Sequence, residues 1–504
     1  MNTKKKFLSF ALACLMLALT FSAAIPVFAQ TQAELDAEKA KEGYVCRIGE
    51  TYYKYFSLCD QKAIDDGVSY TETAIGQHNA DTITLIADIT TGRGGTNQSA
   101  ESVARPSSGV IQSHKSAINV DGNGHTYTCK AGFKVTKYPI TISNLNMVLI
   151  GDECFGYVQR TTGGSNNFTL TFTDCNFTIG KTACRSDGGY FLATGTINNL
   201  STCNLVIQGS NDKKSTVTIE NTDATIPLIA VPSNSSPINI TLDNVYFDVS
   251  TASNMKVIDI GKGGNISVSN STLKSKNVSA LSIGAVDGTA TTSTVNVNNS
   301  TVASEADSIV SFSGNQHTVR LLGNTNLGLT APTLVAGASV RTTAGSNGLR
   351  FKASMPASII ANGGVTEYGM LFARTASVSG EFVETALAEG TYIMSAADKT
   401  KTVDGVFTFA LTDIAEDNYN TMYSARAYAK YNSCKATILV YSTYTVADNS
   451  RSLAGVAKMA TEDFSPTYDA ENGYICKIAD GKYSPYDKNQ LAVLTTYADK
   501  YVAE

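Results

Sequence analysis

Asp174, Glu220 and Asp243 each stand beside a turn of a repeating pattern and could share a ligand. Carboxylates gathered on one face could hold Ca2+ or divide acid and base roles. Nothing in their spacing fixes a distance, and solvated turn acids are the plainer alternative. Asp243 and Asp248 are five residues apart, so alternation along one strand puts them on opposite faces. The four histidines, His78, His114, His125 and His317, are isolated in sequence. His125 falls in Asp121-Gly122-Asn123-Gly124-His125-Thr126, where turn bonding is a simpler role than proton transfer. Gly92-Arg93-Gly94-Gly95 precedes a polar stretch and no helix, so it reads as a loop. No catalytic residue or metal ligand is assigned, and no cofactor is expected, Ca2+ being the one ion the acids could take. Whether the chain is an enzyme stays open on these residues, which lean toward no.

Sugar recognition is the other chemistry on offer, since it uses flat aromatic rings beside hydrogen-bonding side chains. The chain has no Trp but 24 Tyr. Tyr52, Tyr53 and Tyr55, with Tyr483 and Tyr486, cluster near the two ends and are the glycan-binding candidates. Burial against a neighbouring helix is their competing role.

The ten cysteines include no CxxC pair, so zinc and thioredoxin-like redox sites find little support. Cys129, Cys154, Cys175 and Cys203 follow one another at intervals of 25, 21 and 28 residues. Some are therefore expected one above another in a stack, at about 4.8 Å, too far apart for an unstrained bridge. A mostly reduced, buried set is expected, with Cys46–Cys59 the exception.

The elements that must position these residues begin with a leader. Lys4-Lys5-Lys6, the apolar run Phe7 to Phe21 and Val27-Phe28-Ala29 read as a secretory signal, with cleavage between Ala29 and Gln30. An uncleaved anchor is the alternative. No later stretch offers the roughly 18 apolar residues of a membrane helix. The mature chain is thus expected outside the cell, secreted or held non-covalently on a surface. Without the three lysines the formal charge moves from −5 to −8, which argues against a nucleic-acid partner. Hydrophobic residues make up 43% of the chain, enough for real cores. After the leader, Gly43-Tyr44-Val45-Cys46-Arg47-Ile48 alternates like a strand, and Leu58 to Ile64 looks helical.

From Ile118 to Leu327 two or three alternating apolar residues repeatedly give way to Asn, Asp or Gly. The turn positions 122, 144, 174, 221, 244, 270 and 299 step by 22, 30, 47, 23, 26 and 29. Units this rich in Val, Ile, Thr and Asn exclude helical repeats, and no leucine-rich frame is present. A parallel β-helix fits best, each coil sending alternate side chains into a shared core; a string of β-sandwiches is the competing fold.

Asp81-Thr82-Ile83-Thr84-Leu85-Ile86-Ala87-Asp88-Ile89, followed by Ile118-Asn119-Val120-Asp121-Gly122-Asn123-Gly124-His125-Thr126, resembles the opening of pectate-lyase-like β-helix domains on secreted Gram-positive surface proteins. The resemblance covers residues 43 to about 330 and implies a right-handed parallel β-helix. Of the motifs of the related polygalacturonases, only Asn221-Thr222-Asp223 is present. Beyond it, Gly348-Leu349-Arg350-Phe351-Lys352 and Tyr423-Ser424-Ala425-Arg426-Ala427-Tyr428 open and continue a block resembling a C-terminal module of secreted proteins from Gram-positive anaerobes. Finally, Gly473-Tyr474-Ile475-Cys476-Lys477-Ile478 repeats residues 43–48 at an offset of 430, before a helix expected from Asp487 to Val502.

The expected fold is mainly β, a right-handed parallel β-helix followed by a compact, sandwich-like antiparallel domain and a small strand–helix unit. The spans are a signal at 1–29, a cap at 43–110, the β-helix at 111–333, the module at 338–462 and the terminal unit at 470–504, repeating 43–64. The expected function is adhesion or binding to a glycan or other surface component. A polysaccharide lyase or glycoside hydrolase of the β-helix type is the alternative.

Overall fold

Phe168–Thr173, Cys203–Gln208 and Ile238–Asp243 each bury every second side chain, the alternation their sequences announce. The computed structural model describes residues 30–56, 81–90, 111–112, 117–135, 138–151, 154–160, 168–183, 188–195, 203–232, 238–261, 264–284, 293–306, 309–313, 317–322, 325, 327 and 329–503, without 344, 363, 434, 435 and 479. Within them the chain builds three sheets of stacked parallel strands. Each circuit gives one strand to each sheet, as Ile140–Ser143, Asn146–Leu149 and Gly156–Arg160 do in turn. This arrangement is compatible with the expected β-helix. The inward side chains meet in one core, where Phe172, Phe177 and Phe191 pack edge to face at centroid distances of 4.8–5.6 Å.

The corner between the first and second sheets is where Asn earns its place. Asn144, Asp174, Asn244, Asn270 and Asn299 all take the left-handed conformation, with φ between 45° and 56°. Asn221 is not a member of this column. It follows Ser215–Ile219 of the second sheet and turns toward the third. At its expected level stands Gly209, where a Cβ would lie 2.2 Å from the Lys213 carbonyl oxygen. Register gives circuits of 22, 30, 35, 35, 26 and 29 residues. The single step of 47 therefore disappears.

Beneath the corner runs a column of buried hydroxyls. Ser271 and Ser300 each donate to the carbonyl two residues back, and each accepts a backbone N–H from the preceding circuit at 3.0 Å. Ser215 bonds Gln208 O and accepts the Cys175 N–H in the same manner. Cys175 takes the next place in this column, its thiol 3.3 Å from Thr173 O. Burial pushes that thiol up to about 12, so it stays protonated. Among the described residues, Cys129, Cys175 and Cys203 do not stack on one another. Cys129 aligns with Leu149, and Cys203 with Phe168 and Ile238. Equal intervals fail here because insertions at the corners give successive circuits different lengths. Cys46, Cys129, Cys154, Cys175 and Cys203 do carry buried thiols; Cys59 lies outside the described residues.

The first sheet is continued beyond the stack at both ends. At the first, Cys46–Ile48 and Thr51–Tyr53 form a hairpin that pairs antiparallel with Thr82–Leu85. The helix Gln32–Lys41 precedes it, and Asp36 accepts from Arg47 Nε at 3.0 Å and from the Tyr52 hydroxyl at 2.7 Å. Gly43 and Gly473 have φ of +87° and +85°, so the repeated sequence bends alike at both ends. The segment Leu58 to Ile64 lies outside the described residues. At the far end, His317–Leu322 pairs parallel with Ala436–Tyr441, so the first sheet runs into the C-terminal module without a break. There Val365–Arg374, Tyr392–Ala396, Tyr423–Ser433 and Ala436–Tyr441 pair antiparallel, and a small antiparallel sheet centred on Gly348–Ser354 packs against them through Phe351, Phe372 and Phe409. The helix Lys488–Ala498, capped by Asp487, packs on Leu453–Glu462 and stops short of the expected Val502.

Charged side chains fasten this seam. Arg320, from the last strand of the stack, donates its Nε to Glu384 at 2.9 Å, and the Tyr441 hydroxyl bonds the other carboxylate oxygen. Arg426 reaches Glu381 at 3.0 Å, and Asn298 donates to the same carboxylate. Burial pushes the Glu384 carboxyl up, but the bonds from Arg320 and Tyr441 outweigh it and hold it below its ordinary value of 4.5.

Two outcomes test this architecture. Asn270→Ala is expected to cost about 2–3 kcal/mol in urea unfolding, losing the bond to Asp243 and straining a left-handed backbone, whereas Asn270→Gly costs about 1. Glu384→Ala is expected to cost about 3–5 kcal/mol by stranding the buried Arg320, read as faster hydrogen exchange in residues 317–322 and 436–441. Because the native Glu384 value is depressed, its contribution is complete above pH 4.5 and is lost as pH falls through that native value.

Candidate binding faces of the coil stack

Outward-facing positions of the first two sheets are dominated by Thr, Ser and Asn, which parallel register aligns into rows with a spacing of about 4.8 Å. On the first sheet the amides of Asn204, Asn239 and Asn265 form a ladder starting from Thr169, each step 3.0 Å. These groups satisfy one another along the stack and hold the circuits together. On the second sheet Asn146, Asn176 and Thr216 form a like ladder at 2.7–2.8 Å.

That ladder ends where Tyr246 takes the next position in register. Tyr246 is 38% exposed, and among the described residues of the stack it is the one large apolar side chain left open to this degree. Its hydroxyl donates to Asp248 at 3.3 Å, and Lys274 lies 3.8 Å from the same carboxylate and 5.8 Å from the ring centroid. Thr216 and Thr272 flank the ring on the neighbouring strands. Burial pushes the Asp248 carboxyl up, but bonds from Ser250 and the Lys274 charge bring it below its ordinary range. The result is an aromatic face beside an ionised acceptor, a cationic donor and two hydroxyls.

Asp243 and Asp248 face outward alike, but from different sheets, because the chain turns the corner at Asn244 between them. Opposite faces of one strand was the wrong geometry. Asp174 and Asp243 stand at the first corner, where Asp174 accepts the Ser210 N–H at 2.6 Å and Asp243 accepts from Ser269 and Asn270. Glu220 follows the second-sheet strand Ser215–Ile219, as does Asn221, whose side chain bonds Ala183 O at 2.5 Å. Among the described residues no three His, Cys, Asp or Glu side chains gather into a metal-holding group. His125 lies 3.4 Å from Asp88 in its turn. His317 is buried, accepting the Ser293 N–H at Nδ1, with Nε2 2.9 Å from Ser313 O.

The tyrosines picked from sequence are divided between the two ends. Tyr52, Tyr53 and Tyr55 are half-buried at the first, where Tyr52 bonds Asp36 and meets Tyr44 edge-on at 68°. Tyr483 and Tyr486 are half-buried beside the C-terminal helices, Tyr483 edge-on to Tyr468 at 77°. No shared platform brings the two groups together. Gln30 bonds Glu38, and Ala29 lies outside the described residues. No family model matches the chain, and neither the curated proteins nor the solved structures contain a match.

Removing Ser250 or Lys274 is expected to return the Asp248 carboxyl upward, Ser250→Ala by more than Lys274→Ala, as followed by carboxyl carbon NMR titration.

Proposed function

We propose that this is a secreted or cell-surface-associated binding protein that lays an extended glycan along the outer face of its second sheet. The observation carrying this reading is Tyr246, an open ring set in a row of Thr and Asn beside Asp248 and Lys274. A sugar's C–H face covers an aromatic ring while its hydroxyls exchange bonds with neighbouring acids, amines and hydroxyls. In this reading the stack is a right-handed parallel β-helix of the pectate-lyase-like surface-protein kind. The parallel pairing in three sheets and the left-handed Asn corners support it. The C-terminal block is then the module resembling that of secreted proteins from Gram-positive anaerobes, and the leader directs export.

The test is a glycan array probed with the chain lacking residues 1–29, paired with an assay for released reducing ends. Selective retention of one polymer class, weakened about tenfold by Tyr246→Ala, is expected. Retention unchanged in that variant removes the Tyr246 face from the reading. Steady release of unsaturated or reducing sugar replaces binding with catalysis.

A further inference from the structure

A groove of about 580 Å³ opens in the C-terminal module where the end of Tyr392–Ala396 meets the outer edge of Val406–Thr412. Arg341, Arg350 and Lys401 line it. Ser339 pairs with Arg350, and Arg341 with Gly348, so the two arginines lie diagonally on one side of the small sheet. Val340 and Leu349 are buried on its other side. Lys401 is neutralised by Asp398 at 3.0 Å. The Asp398 carboxylate also takes bonds from the Thr400 N–H and hydroxyl, at 2.9 and 2.6 Å, which leaves it spent locally.

The arginines have no such partner. Arg350 donates its Nε to the neutral Ser339 hydroxyl at 2.9 Å. Among the described residues neither Arg341 nor Arg350 forms an ion pair with a carboxylate. Two guanidiniums rooted at diagonal positions on one sheet face repel each other, and an anion that both can reach relieves that repulsion. The exposed Thr408, opposite Lys352 in register, lies on the arginine side of the sheet and lines the same groove, whereas Phe409, opposite the buried Phe351, faces the other way. Tyr486 stands near enough for the Arg350 charge to act on its phenol. The volume suits a small ligand of one or a few rings.

We propose that this groove binds an acidic sugar, its carboxylate or phosphate ester held between Arg341 and Arg350 and its ring hydroxyls turned toward Thr408. The site is separate from the Tyr246 face and stands without it. Calorimetry on the chain lacking residues 1–29 uses galacturonate, its uncharged twin galactose, inorganic phosphate and a glutamate-rich peptide as probes. Galacturonate is expected to bind, galactose to bind at least about tenfold more weakly, and added salt to weaken the former. Arg341→Gln and Arg350→Gln should each weaken galacturonate about tenfold or more, Arg350→Lys less, with circular dichroism unchanged. Tyr246→Ala should leave this binding as it was, which separates the two sites. Preference for galacturonate over phosphate assigns a uronate, and the reverse assigns a phosphate-bearing glycan. Galacturonate binding no better than galactose, indifference to both Gln variants, or tighter binding of the peptide overturns the proposal.

Discussion

Parallel strands bonded in register, one circuit above another, are the constraint from which the rest of this molecule follows. A circuit that arrives a residue early or late turns every inward side chain outward. Each corner must therefore bring the chain back to the same phase whatever the circuit's length. The first corner does so with a left-handed Asn or Asp, or with Gly209 where another backbone comes too close for a Cβ. The buried hydroxyls of Ser215, Ser271 and Ser300 then tie three of these corners to the preceding circuit. Slack in circuit length is absorbed in loops such as 210–214, and the sheets stay regular.

The same constraint explains the ends. Any terminal strand of such a stack exposes a row of unpaired backbone groups, an invitation to pair with another chain. The N-terminal hairpin meets its edge with an antiparallel strand, and the C-terminal module meets the other with Ala436–Tyr441. The second junction joins parallel coils to antiparallel sheets in one continuous sheet. Charged and polar side chains from both partners gather there: Arg320 and Asn298 from the coils, Glu381, Glu384 and Arg426 from the module.

Local patterns were legible in the sequence and long-range pairing was not. Alternation located the strands, and Asn144, Asp174, Asn244, Asn270 and Asn299 marked one corner, because few residues tolerate that conformation. Asn221 deceived because a second corner uses the same residue type for a different turn. The cysteine intervals deceived because spacing along a chain equals height in a stack only when circuits share one length. Tyr246 could have been found by counting from a corner: after Asn244, Val245 points in and Tyr246 out. The terminal tyrosines drew attention by clustering, yet Tyr52 is occupied by Asp36 and Gln32. Nothing near residue 317 announces that its strand will pair with residue 436, over a hundred positions away.

The unbroken sheet has a mechanical consequence. Hydrogen bonds between circuits point along the stack, so tension between its two ends loads them lengthwise and one row at a time. Unravelling would then begin at a terminal row, where a circuit has a neighbour on one side alone. The row between His317–Leu322 and Ala436–Tyr441 is reinforced by side chains that cross it at an angle to the backbone bonds. A chain held at one end and pulled at the other would carry its load through Arg320 and Glu384 as well as through peptide groups, and protonation of Glu384 would slacken that coupling.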